Sequence, residues 1–266
     1  MHASFLPPSR SVNPMSRCLA AIPVYNEVKH VNGVLDEVVR YATDVLAVDD
    51  GSKDGTTELL KNRRDITVIH HGQNRGYGAA LRTAFDYAVQ EGYDVLVTLD
   101  CDGQHQPQRI PMFVEACQKA DIVTGSRYLK TFEGDSLPPP PERLLINRTI
   151  TKRINDLFGW NLTDAFCGFK AYRVSALEQL RISVEGYAMP LELWAQAAML
   201  SLSIVEIPVP LIYLDLARSF GGAMDDGGVR LKHYNQVIDE SIQTMRARGF
   251  ELPDIYPAGC GIECGS

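Results

Sequence analysis

Apolar residues in the first half of the chain fall into short runs of strand length: CLAAIPV at 18–24, DVLAVDD at 44–50, ITVIHH at 66–71 and DVLVTLD at 94–100. Between them, residues 28–41, DGTTELLKNRR at 54–64 and residues 78–91 place apolar positions at helical spacing. Strand-length runs separated by helical periods predict βαβ units and a mostly parallel central sheet flanked by helices, an α/β class. Three of the runs pass directly into polar residues at their carboxyl ends: Tyr25, Asn26 and Glu27; Asp49, Asp50, Gly51 and Ser52; Asp100, Cys101 and Asp102. Carboxyl ends of parallel strands share one rim, and such sheets bind ligands there. The carboxylates are therefore expected to converge.

After DIVTGSRY at 121–128 the pattern breaks at TFEGDSLPPPPE, residues 131–142, whose prolines exclude a continuous helix or a central strand. A mobile loop is expected there. Helical spacing resumes over 143–158 and near 191–200, SIVEIPV at 203–209 reads as a strand, and 229–248 is a polar amphipathic stretch. With no internal repeat and no second break in composition, one domain with a C-terminal helical extension is predicted. Residues 1–16, rich in Pro, Ser and Asn, are expected to be a disordered leader.

The net charge of -7 and pI near 5.4 argue against a general nucleic-acid binder, because phosphate backbones are held by clustered Lys and Arg. The longest apolar stretches fall well short of the roughly 20 residues needed to cross a bilayer, and the N-terminus has no apolar signal-peptide core. A cytoplasmic protein with no transmembrane segment is the expectation. Cys18, Cys101, Cys117 and Cys167 lie in or beside apolar runs and read as buried thiols, whereas Cys260 and Cys264 sit in a Gly-rich tail that reads as flexible.

Asp100 and Asp102, at i and i+2, would point the same way on a regular strand, where their repulsion would be costly in an apolar layer. A divalent cation removes that conflict: Mg²⁺ or Mn²⁺ is held by one or two carboxylates, with water and substrate phosphates completing the shell. Two solvated turn residues would account for the same letters. His105 is a secondary metal candidate or a hydrogen-bonded rim histidine. NRGYGAAL at 74–81 has neither phosphate-loop spacing nor a full dinucleotide fingerprint, and its glycines fit a helix start that a ligand approaches closely.

IPVYNE at 22–27, VDDGSKDGT at 48–56, NRGYGAAL, LDCDGQHQP at 99–107 and GSRY at 125–128 occur in this order. Together they resemble the nucleotide-sugar half of family 2 glycosyltransferases, which have the GT-A fold. TDAFCGFKAYR at 163–173, EGYAMPLELWAQA at 185–197 and VEIPVPLIY at 205–213 resemble the branch of polyprenyl- or dolichyl-phosphate mannose (or glucose) synthases. The resemblance spans roughly residues 18–218. It implies a GT-A domain over 17–214, with a helical extension and flexible tail over 215–266.

The resemblance further implies donor-binding roles for Pro23, Tyr25, Glu27, Asp49, Asp50, Asp100 and Arg127. Tyr25 would offer a flat apolar face and Glu27 an acceptor for ribose hydroxyls; Asp49 and Asp50 match the base-reading position, and capping of the following turn is the alternative for one of them. Asp100, Asp102 and Gln104 match the motif for Mg²⁺ or Mn²⁺ and the diphosphate. Asp102, Arg218 and Glu192 are the implied catalytic residues. The implied reaction is inverting transfer of a hexose from a nucleotide-diphospho-sugar, of GDP-mannose or UDP-glucose type, to a polyprenyl phosphate. Cation and guanidinium would stabilise the leaving diphosphate. A lipid phosphate is already anionic and needs no strong base, whereas a hydroxyl acceptor would need one, for which Glu192 and Asp164 are candidates.

The chain departs from the branch after Arg218, where a Gly followed by Ser-Lys is usual and FGGAMDDGGVRLKHY stands instead. Arg230 and Lys232 either replace that lysine or form a solvated face of the terminal helix. Membrane contact would be peripheral, at the inner face, through the loop near Leu137 and the helix over 144–158 with Arg143, Arg148, Lys152 and Arg153; core packing is the more routine account of that amphipathic helix. Two alternatives stay open: the same donor chemistry with a soluble hydroxyl acceptor, and a noncatalytic nucleotide-sugar binding module. A sugar-phosphate nucleotidyltransferase would carry a Gly-rich N-terminal signature with Arg and Lys, which is absent.

Overall fold

The computed structural model describes residues 17–132, 139–212 and 222–252. The expected leader, Leu137, Arg218 and the Cys260 and Cys264 tail lie outside the described residues. Within them, the apolar runs become β1 (Cys18–Val24), β2 (Asp44–Asp49), β3 (Thr67–His70), β4 (Val95–Thr98), β5 (Ile122–Ser126), β6 (Lys170–Arg173) and β7 (Ile204–Pro208). They form one sheet in the order β3-β2-β1-β4-β6-β5-β7. Every pairing is parallel except those of β6, which runs antiparallel to β4 and to β5.

The helices are α1 (Val31–Val38), α2 (Thr56–Lys61), α3 (Tyr77–Gln90), α4 (Ile110–Ala116), α5 (Pro141–Phe158), α6 (Val174–Leu177), α7 (Met189–Met199) and α8 (Gly227–Ala247). Strand β1 shows why its run is apolar throughout. Leu19 and Ala21 pack with the residues of α3, α5, α7 and α8, while Ala20, Ile22 and Val24 pack with Val31, Leu35, Leu60 and Phe113 on the other face. Strands covered on both faces read as continuous apolar runs. Each large side chain buried this way stabilises the fold by about 1.5–3 kcal/mol.

The polar stretch near the C-terminus is a core element. Helix α8 buries Arg230, Tyr234, Val237, Ile238, Ser241, Ile242 and Met245, a three-and-four spacing that lays one face against α7 and α5. Asp226 caps it, accepting from Val229 N–H at 2.8 Å.

Strands β2 and β3 lie on one side of β1, and β4 lies on the other. The strand order thus reverses between β1 and β4, and the loops leaving their carboxyl ends open a crevice. The two carboxylates after β4 do not share a strand face: β4 ends at Thr98, and Asp100 and Asp102 stand in the following turn, where Gly103 takes φ 73°.

Candidate active site

A cavity of about 390 Å³ lies over this reversal. One wall carries Pro23, Tyr25 and Glu27 from the end of β1, Asp50 from β2, and Asp100, Asp102 and Gln104 from the turn after β4. The loops are laced together. Asn26, left-handed at φ 55°, accepts from Lys53 N–H at 2.8 Å through Oδ1, and its own N–H donates to Ser52 Oγ at 2.9 Å. Glu27 N–H donates to Thr56 Oγ1 at 2.9 Å. Glu27 is held buried while Tyr25 stands exposed at the rim.

Asp50 ties the end of β2 to the start of α3. Its Oδ1 accepts from Arg75 N–H at 3.0 Å and lies 2.6 Å from His71 Nδ1, and its Oδ2 accepts from Gly76 N–H at 2.7 Å. Asp100 accepts from Tyr77 Oη–H at 2.9 Å and lies 3.2 Å from His105 Nε2. Burial alone would raise its carboxyl, but the hydrogen bonds and charges of His105, Tyr77 and Lys170 hold it at about 2. Asp100 is therefore ionised at neutral pH. Tyr77 in turn stacks on Tyr187, with centroids 5.6 Å apart. Asp102 Oδ1 accepts from Gln104 N–H at 3.0 Å, closing the turn.

Among the described residues, two expected site residues do not line the cavity. Asp49 is 1% exposed and accepts from Ser52 N–H at 3.0 Å and Thr57 Oγ1–H at 2.5 Å, with His70 Nδ1 at 3.0 Å. Burial raises its carboxyl, yet these bonds lower it overall. Of the two adjacent aspartates, Asp49 caps the turn and Asp50 reaches the cavity. Glu192, in the first turn of α7, is also buried outside the lining. It accepts from Ser183 N–H at 2.9 Å, Val184 N–H at 2.8 Å and Ser183 Oγ–H at 2.8 Å. The segment it pins backs the start of α3, where Ala79 N–H donates to Glu185 O at 3.2 Å. Any side chain at Gly76 or Gly78 would collide with Glu185 O or Val184 O. These glycines admit the neighbouring backbone of 184–185, and Gly76 also lines the cavity.

The lining from the end of β5, from α5 and from α8 is basic and aromatic, a basic wall of Arg127, Arg143 and Arg230 with Tyr128 and Tyr234; Phe166 and Tyr187 also line the cavity. Arg127 is clamped by Asp164, Nε donating at 2.7 Å and Nη2 at 3.0 Å, and Asn147 Nδ2 donates to the same carboxylate at 2.9 Å. Burial would raise Asp164, but the Arg127 charge and hydrogen bond lower it. An ionised carboxylate so occupied is a poor proton acceptor. Arg230 is 3% exposed and donates to Met224 O at 2.6 Å, so it belongs to the cavity and not to a solvated face. The signal was its spacing four residues before Tyr234 and eight before Ile238, on the apolar stripe of α8. Arg143, on the helix for which membrane contact and core packing were both open, lines the cavity, whereas Lys152 and Arg153 of the same helix pair with Asp156 and with Asp239 of α8. Among the described residues, no helix is long and apolar enough to cross a membrane.

The model of the family described as glycosyl transferase family 2 matches residues 20–181. The chain is 33% identical over 230 residues to undecaprenyl-phosphate mannosyltransferase of Micrococcus luteus, covering 82% of this chain and 93% of that protein. It is 33% identical over 220 residues to polyprenol monophosphomannose synthase of Mycolicibacterium smegmatis, covering 79% and 82%. Glucosyl-3-phosphoglycerate synthase from Mycobacterium tuberculosis, solved in complex with phosphoglyceric acid, matches with a TM-score of 0.66 at 17% identity, over 86% of this chain and 80% of that one. That likeness is one of fold, and it agrees with the GT-A-like architecture expected from the motifs. The family match includes the whole acidic wall together with Arg127 and Asp164, and the chain belongs to glycosyl transferase family 2.

Proposed function

We propose that this glycosyltransferase moves a hexose from a nucleotide-diphospho-sugar to a polyprenyl phosphate, with inversion at the anomeric carbon. The observation that carries the reading is that one cavity is lined both by the carboxylates of Glu27, Asp50, Asp100 and Asp102, from the ends of β1, β2 and β4, and by the guanidinium groups of Arg127, Arg143 and Arg230, from the end of β5, α5 and α8. The names of the relatives in Micrococcus luteus and Mycolicibacterium smegmatis point to the same acceptor class. On the acidic wall, Tyr25 would stack on the nucleoside, Glu27 would accept from ribose hydroxyls, and Asp50 would face the base. The donor is of GDP-mannose or UDP-glucose type.

The acidic wall also fits a hard cation. Asp100, Asp102 and Gln104 bring oxygen donors to one cavity, the set that Mg²⁺ or Mn²⁺ takes from protein when phosphates and water complete the shell. Among the described residues, no group of three or more His, Cys, Asp or Glu could hold a metal unaided. The donor diphosphate would therefore supply ligands of its own. When bound, such an ion neutralises charge developing on the leaving diphosphate. The chain's own part is to orient the donor, to hold Asp100 ionised, and to present the acceptor phosphate. A phosphate monoester is anionic near pH 7, so displacement needs no general base, in keeping with the occupied states of Asp164 and Glu192.

The acceptor would be met at the inner face of a membrane, by peripheral contact of a cytoplasmic protein. Leu145 on α5 is 65% exposed and Val229 on α8 is 47% exposed, each next to a helix residue that reaches the cavity or its edge. The test is incubation with Mn²⁺, labelled GDP-mannose or UDP-glucose, and undecaprenyl phosphate. Label should enter the organic phase with one donor. Label appearing only on soluble hydroxyl acceptors would favour the rival reading, and donor binding with no turnover on any acceptor would favour a binding module.

A further inference from the structure

We propose that Arg230 of α8 seats the phosphate of the acceptor, and that the Glu142 carboxylate holds that seat until the phosphate displaces it. The inference rests on the acceptor reading above. It adds a binding residue beyond the family-matched segment, which ends at residue 181, and a gate built into the chain.

Arg230 is buried against the cavity with Nη1 anchored on Met224 O at 2.6 Å. Its Nη2 faces Glu142 Oε2 at 3.5 Å. That separation is the outer limit of a hydrogen bond, and the Glu142 side chain is 59% exposed. An exposed carboxylate at that range loses little on leaving, because water solvates it and salt screens it. A phosphate monoester brings more charge and three acceptor oxygens, and the planar guanidinium matches it with parallel donors. The phosphate therefore wins the seat.

A second feature holds Glu142 in place. Its carboxyl lies against Gly227, the first residue of α8, where a Cβ would stand 2.5 Å from Glu142 Cδ and 3.0 Å from Cγ. A glycine leaves that berth open, and the positive end of the α8 dipole favours a carboxylate in it. The cavity that Arg230 lines is also lined by Ile146, Phe166 and Pro190, apolar surface that suits a prenyl stem. The same cavity thus offers a cation for the phosphate and apolar side chains for its lipid.

The two features permit independent variants. Glu142→Gln removes the competing charge; Gly227→Ala keeps the charge but evicts it, since the clashing atoms are the far end of a flexible side chain and the residue lies in a helix that alanine favours. Calorimetry with farnesyl phosphate and with inorganic phosphate reads the outcome without catalysis. Both variants should bind farnesyl phosphate about three- to fivefold tighter than the parent, the size of a weak exposed pair. Arg230→Gln should weaken it about tenfold or more and should erase the gain from Glu142→Gln in the double variant. A gain for farnesyl phosphate alone assigns the seat to a prenyl phosphate; a gain for inorganic phosphate as well assigns it to the phosphate group itself. Unchanged or weaker binding in both Glu142→Gln and Gly227→Ala, or no binding by the parent, overturns the proposal. If transfer to polyprenyl phosphate fails while these binding changes hold, the acceptor reading falls and the seat stands; if transfer is found without them, the gate alone falls.

Discussion

Asp100 packs directly on Gly168: a Cβ at residue 168 would stand 2.5 Å from Asp100 Cγ. The carboxylate that heads the acidic wall is positioned by the absence of a side chain on the loop before β6. Gly168→Ala should leave the fold intact and push Asp100 off its place. A displacement of about 1 Å costs about a hundredfold in kcat/KM when geometry is this tightly set. Parent-level activity in this variant would remove Asp100 from the site.

Asp102→Asn separates charge from shape. The amide oxygen can still accept from Gln104 N–H, as Asp102 Oδ1 does, so the turn should persist and the melting temperature should hold. Metal-dependent binding of the nucleotide-sugar should disappear in calorimetry. Unchanged affinity would refute the assignment of Asp102 to the cation.

Glu192→Gln tests positioning against catalysis. Three donors from Ser183 and Val184 converge on that carboxylate, and an amide would turn one N–H against them at a cost of about 1–3 kcal/mol. Stability should fall by that amount in urea titration, while the pH profile of kcat keeps its shape. Loss of a basic limb from the profile with stability intact would make Glu192 a base.

The Arg127–Asp164 pair predicts an acid limit. Asp164 is depressed below its ordinary 3.8, so its contribution is fully present above that value and is lost as pH falls through the folded value. Urea midpoints measured between about pH 5 and pH 2 should fall more steeply in the parent than in Asp164→Asn. The same variant should lose up to about 3 kcal/mol at neutral pH, because it removes the charge that pairs with a largely covered guanidinium. Equal slopes would show that the pair does not govern acid stability.

Much of this molecule was legible in its pattern. The parallel strands were visible because burial on both faces makes them continuously apolar, as in Leu19 to Val24. Strand β6 was not, because it has four residues, two of them Lys170 and Arg173, and Lys170 becomes a buried strand residue only through pairing with Thr98 and Thr124. The acidic wall was readable from the rim rule, but Asp49 and Asp50 are identical letters, and their neighbours decide which one reaches the cavity. Glu192 carries a motif position without a cavity position. Arg230 was readable as a charge; its burial depends on how α8 lies against α5 and α7.

The most direct measurement is a competition in one tube: labelled donor, Mn²⁺, and equal amounts of undecaprenyl phosphate and undecaprenol. The account predicts label only in the phosphate-linked product, released by mild acid, with none on the alcohol. Label on the alcohol, or equal label on both, would contradict an acceptor phosphate held by the basic wall.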